Sequence, residues 1–187
     1  MNTVPIPPKL TAVPEIRRRA REHVENGAVI EGYRADREAV VEMLNVALAS
    51  ETVCVLRYRR HYFMAQGLES KAVAAEFLQH STEEQGHADQ IAHRITQLNG
   101  EPDFNPDGML ARSNTEYVEG RSLLEMIREN LVAERVAIET YSEIIRYLGD
   151  YDTTTKHMLV GILATEEEHA VEMSDLLARH GSRARTQ

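Results

Sequence analysis

Two parts of this 187-residue chain repeat one pattern, a lone glutamate and later Glu-x-x-His. Glu51 is followed by Glu84-x-x-His87, and Glu134 by Glu166-x-x-His169. The midpoint of the first glutamate pair falls beside Gly67, and that of the second at Asp150. Both midpoints lie in short breaks, residues 66–69 and 149–152, between long helical patterns. An antiparallel hairpin folded at each break brings its two glutamates to one height, about 24 Å from the turn. Within each motif the Glu and the His, three residues apart, share one helical face one turn apart.

The helical patterns run over residues 34–65, 70–98, 122–148 and 153–179. Ser122 and Glu125 read as a capping box for the third. Residues 14–25 read as a short extra helix, opened by Pro14 and closed by Asn26 and Gly27. Residues 99–121 are too long for a hairpin turn. A segment of ~22 residues at ~3.3 Å each can travel the ~42 Å length of such a helix. The expectation is an all-α fold: a four-helix bundle with one long crossover between helices 2 and 3, plus a short N-terminal helix. Its parts are an N-terminal extension, 1–33, beginning as a proline-rich arm, a bundle, 34–180, and a flexible C-terminal tail, 181–187.

Each of the four glutamates interrupts an apolar stripe at helical spacing. Glu51 lies among Leu44, Ala47, Leu48, Val55 and Tyr58, and Glu84 shares its face with Phe77, Ala88, Ile91 and Ile95. Glu134 sits with Ile127, Leu131, Ala137, Ile138 and Tyr141, and Glu166 with Leu159, Ile162, Leu163, Ala170 and Met173. Four carboxylates converging in a core need a counter-charge or must take up protons. No lysine or arginine sits in these stripes at the right height. Two divalent cations satisfy the arrangement, ligated by Glu51, Glu84, His87, Glu134, Glu166 and His169, with glutamates bridging.

The net charge of −9 argues against general affinity for nucleic acid or anionic membranes and favours attraction of cations. No apolar run is expected to reach membrane-spanning length, and no signal core opens the chain. Cys54 has no cysteine partner, so a reducing cytoplasm is the expected compartment and a small core residue its expected role. Glu83, Glu167 and Glu168 read as surface or channel acids pointing away from the site, and Glu83 alone as a contact for iron in transit. His23, His61, His93, His157 and His180 read as surface or packing residues, and His80 as at most an accessory. The arginines at 17–19 and 21 read as an interface or solvated face. Arg183 and Arg185 offer at most a weak touch on DNA.

With these motifs, residues 36–180 resemble bacterioferritin and the wider ferritin-like di-iron carboxylate family. The six residues match that family's ligand positions, and Tyr58 and Tyr141 match the tyrosines that back them. The resemblance implies a ferroxidase. Two iron ions per subunit, with manganese or zinc as substitutes, are held with Glu84 and Glu166 bridging or shared. Glu51 pairs with His87 and Glu134 with His169, and oxygen or hydrogen peroxide is the oxidant. The ferric product is stored inside a shell formed by self-association. Gln85 stands where bacterioferritins carry a haem-ligating methionine, so haem is not expected. Ala137 stands where rubrerythrin adds a glutamate. The few residues after His169 leave no room for bacterioferritin's fifth helix. That favours a Dps-like member with a bacterioferritin-type site and twelve subunits rather than twenty-four, although Cys54 does not supply the cysteine pair some of these carry. The alternatives are a di-iron or di-manganese peroxidase or oxidase without mineral storage, and a DNA-protecting cage.

Overall fold

The computed structural model describes residues 10–65, 67 and 70–183, with side chains to residue 180. Most of the proline-rich arm, three of the four residues of the first expected turn, and Arg185 lie outside the described residues. So does the Arg183 side chain.

Among the described residues six α-helices occur in order: α1 Val13–Arg19, α2 Arg37–Met64, α3 Lys71–Gln97, α4 Met109–Arg112, α5 Leu123–Leu148 and α6 Thr153–Arg183. The long four are α2, α3, α5 and α6, of 28, 27, 26 and 31 residues. They pair as two hairpins, α2 with α3 and α5 with α6. Three of the four start on a side-chain cap. Asp36 caps α2 by accepting from the Ala39 amide at 3.2 Å. Ser122 caps α5 by accepting from the Glu125 amide at 3.2 Å. Glu125 reaches back to the amide of Arg121, one residue earlier than a standard capping box requires. Asp152 caps α6 through the Thr155 amide at 2.9 Å. It also holds Arg94 of α3 at 3.0 Å and Tyr33 at 2.9 Å, fastening the second turn to the first hairpin.

The N-terminal helix is shorter than expected. α1 stops at Arg19, and residues 24–26 form only a 3-10 turn after His23 at a left-handed φ of 51°. α1 has no buried residue, so packing gives the helix no reason to continue. A second expectation also fails: by length and composition α2 is apolar enough to cross a membrane. Its apolar face is instead packed inside the bundle, the usual reason a core helix meets that test.

The core has two apolar layers with a polar belt between them. One layer includes Val40, Leu44, Leu48, Ile91, Ile95, Tyr141, Leu148, Leu159 and Ile162. The other gathers Tyr58, Val73, Phe77, Met126, Ile127 and Met173. The crossover runs along α2 from one end toward the other, sewn by side chains. Asn45 binds Glu101 O at 3.1 Å and the Asp103 amide at 2.8 Å. Ser50 accepts from the Asn114 amide at 2.9 Å, and Arg57 donates to Glu116 O at 2.8 Å. Arg60 and His61 hold the carbonyl of Glu119. Gly120 ends the strap at a left-handed φ of 63°, where an added Cβ would lie 2.7 Å from Met126 Cγ.

Candidate metal centre

The polar belt is built by the repeated pattern. Glu51 on α2, Glu84 and His87 on α3, Glu134 on α5, and Glu166 and His169 on α6 are all buried, none more than 5 % exposed. The equal heights expected within each hairpin bring these side chains into one cluster, because each helix reaches mid-length at the same level.

Two groups of donor atoms lie within 4.8 Å of one another: Glu51, Glu84, His87 and Glu166, and Glu84, Glu134, Glu166 and His169. Glu84 and Glu166 belong to both. His87 Nδ1 stands 2.8 Å from Glu166, 3.5 Å from Glu51 and 3.6 Å from Glu84. His169 Nδ1 stands 3.6 Å from Glu84, 3.7 Å from Glu166 and 3.9 Å from Glu134. The tyrosines cross over: Tyr58 of α2 donates to Glu134 of α5, and Tyr141 of α5 donates to Glu51 of α2. One oxygen of each outer glutamate is thereby fixed and the other left facing the cluster.

Seven buried atoms here make no directed hydrogen bond: Glu51 Oε2, Glu84 Oε1, His87 Nδ1, Glu134 Oε2, both oxygens of Glu166, and His169 Nδ1. Buried polar atoms are ordinarily satisfied, and orphans gathered on one point mark a missing partner. The donor set of carboxylate oxygens and imidazole nitrogens, four atoms to each position and two residues shared, fits a pair of first-row divalent ions.

Without ions, protons supply the counter-charge. Burial, then the charge of Glu84, pushes the Glu51 carboxyl well above its ordinary value. Burial and the charge of Glu51 bring Glu166 up to about 7. Burial works the same way on Glu134, but contacts with His169, Glu166 and Tyr58 outweigh it and hold that carboxyl at about 2. Burial opposes a charged His87, yet its contacts with Glu166, Glu51 and Glu84 push it up to about 12. His169 is raised in the same way, burial being outweighed by Glu134, Glu166 and Glu84.

One expectation needs correction, and the accessory histidine lies beside the site. Glu83 does not point away: its Oε2 receives His169 Nε2 at 2.8 Å, which leaves Nδ1 turned inward. On α3 it lies about 100° around from Glu84, which carries it into the groove toward α6. His80 is fully buried, stacked on His169 with centroids 3.9 Å apart, and bonded to Tyr58. Glu167 and Glu168 are exposed, as are His23, His93 and His157. His61 is buried, its Nδ1 3.0 Å from Asn130 Oδ1. Cys54 is buried, with burial raising its thiol pKa.

Sequence reasoning also missed Arg57, which is 1 % exposed. It donates to Asn130 Oδ1 at 3.1 Å, Thr115 Oγ1 at 3.3 Å and Glu116 O, and to none of the four glutamates. No spacing in the sequence marks its partners, because Thr115 and Glu116 come from the irregular crossover and Asn130 from α5 of the other hairpin.

A family model described as Ferritin-like domain matches residues 41–180. The bacterioferritin of Desulfovibrio desulfuricans is 27 % identical over 140 residues, which cover 74 % of each chain. A protein of Pyrococcus furiosus named DNA protection during starvation protein is 30 % identical over 155 residues, 81 % of this chain and 84 % of its own. Among solved structures, one described as a dodecameric thioferritin, the bacterioferritin-related protein from Bacteroides fragilis, is similar. It has a TM-score of 0.77 at 29 % identity and covers 82 % of this chain and 92 % of that one.

Proposed function

Because the chain belongs to the ferritin-like domain family, we propose that it oxidises ferrous iron at the paired site and stores or detoxifies the ferric product in a multi-subunit shell. The observation that carries this reading is the cluster of seven buried, unbonded donor atoms converging from four helices. Glu51 with His87 holds one ferrous ion, Glu134 with His169 the other, and Glu84 and Glu166 serve both. Each ion gives up one electron, and oxygen or hydrogen peroxide takes the pair. The carboxylate-rich set favours the ferric product, since hard anionic oxygen donors suit the higher charge. Tyr58 and Tyr141 keep the outer glutamates aimed inward, and Glu83 does the same for His169.

A shell of twelve copies is supported by the dodecameric assembly named for the Bacteroides relative. DNA binding is not part of this reading, since a net charge of −9 opposes the phosphate contacts on which such binding depends. The test is anaerobic loading with ferrous iron, then oxygen, with ferric absorbance followed in time and particle mass measured on the same sample. A Glu84→Ala, Glu166→Ala double variant is expected to oxidise iron at least ~10-fold more slowly. Full oxidation rates in that variant refute the assignment. A small oligomer without mineral refutes storage and leaves a soluble-substrate oxidase.

A further inference from the structure

His80 lies on α3 one turn before Glu84, with its ring stacked on His169 at 17° and its side chain fully buried. Its two nitrogens meet different neighbours. Nδ1 is 3.1 Å from Tyr58 Oη, while Nε2 is 2.8 Å from Glu172 Oε2 and 3.8 Å from Glu76 Oε1.

Valence decides where the protons sit. The Tyr58 hydroxyl has a single proton, and it goes to the carboxylate of Glu134. Tyr58 Oη must therefore accept from His80, which places the proton of a neutral imidazole on Nδ1. Nε2 is then a buried lone pair facing the carboxylates of Glu172 and Glu76. With the imidazole neutral and both carboxylates ionised, no proton lies between these groups, and lone pairs at 2.8 Å repel unless a cation lies between them.

We propose that Glu76, His80 and Glu172 form a third divalent-cation site, one helical turn out from the paired centre. One donor atom from each already falls within 4.8 Å of the others. An imidazole with two carboxylates suits a borderline ion such as Fe(II), Co(II) or Zn(II) rather than calcium or magnesium. The side chains of Glu76 and Glu172 are 31 % and 37 % exposed, whereas His80 is 0 % exposed. The site therefore opens to solvent on one side and touches His169 on the other. Glu83 joins His80 and His169 in a further donor group between the outer and central positions. If the paired centre is the ferroxidase proposed above, the outer site stages ferrous ions on their way in. The existence of the outer site does not rest on that reading.

Zinc is the probe. The full chain is dialysed against micromolar zinc, bound metal is counted, and crystals from the same sample are measured on both sides of the zinc absorption edge. The expected result is an anomalous peak between Glu76, His80 and Glu172. In a Glu76→Gln, Glu172→Gln variant that peak disappears, the central peaks stay, and bound zinc falls from about three to about two per chain. Central peaks with an empty outer site, together with a proton on His80 Nε2 by nitrogen-15 NMR, overturn the inference. The residues would then form a plain imidazolium–carboxylate pair, and the ferroxidase reading would stand. An occupied outer site with an empty centre supports the outer site and refutes the ferroxidase.

Discussion

Glu166→Gln should make the metal-free bundle more stable while removing its capacity to hold ions. Glu166 is 0 % exposed, and neither of its oxygens has a directed hydrogen bond. Its pKa is raised from 4.5 to about 7, by burial first and by the charge of Glu51 second. Below pH 4.5 the carboxyl is protonated both folded and unfolded, and it contributes no penalty. As pH rises past that value the unfolded chain ionises first, and the folded state loses stability until the pH exceeds about 7. Such a gap, at 1.36 kcal/mol per pH unit, amounts to roughly 3 kcal/mol at pH 8. For a domain of this size that is a rise of roughly 6–12 °C in melting temperature for the neutral variant. The assay is a thermal melt in excess chelator at pH 8 and again at pH 4.5. The gain should be full at the first pH and absent at the second. Zinc at ~100 times its dissociation constant should then stabilise the wild type by about 2.7 kcal/mol and the variant by much less. A metal-free variant that melts below the wild type at pH 8 would refute the idea that the centre is a net electrostatic burden awaiting cations.

Tyr141→Phe leaves Glu51 without its donor while Tyr58 still serves Glu134. Cobalt affinity should therefore fall ~10–100-fold at the Glu51–His87 position alone, read from visible absorption during titration. An equal loss at both positions contradicts that division. Gly120→Ala forces a side chain into a left-handed conformation and against Met126. Urea unfolding should show a loss of roughly 2–4 kcal/mol, and an unchanged midpoint would mean that the strap can relax.

What could be read in the sequence was what periodicity encodes. Glu51 and Glu84 stand equally far from one turn, Glu134 and Glu166 from the other, and helical rise alone puts each pair at one level. The apolar stripes gave the inward faces, as the burial of Leu44, Ile91, Ile127 and Leu159 shows. The parts that escaped depend on pairings between distant segments. Arg57 looks like any helical arginine until Thr115 and Glu116 of the crossover arrive beside it. Glu83 was misjudged, and the surroundings of His80 stayed unread, because their partners, His169 and Glu172, belong to the other hairpin. A signal for His80 did exist: Glu76, His80 and Glu84 recur at four-residue intervals and so form one stripe. The early end of α1 has the opposite cause, since its sequence favours a helix and none of its residues is buried.

The exchanged tyrosines make neither hairpin self-sufficient. Each half of the chain carries the phenol that steadies the other half's outermost acid, so an isolated half has a carboxylate without its support and a hydroxyl without its target. Only the assembled pair completes both arrangements. A break in the polypeptide between the halves would leave every ion-facing group in place, provided the two pieces stay docked.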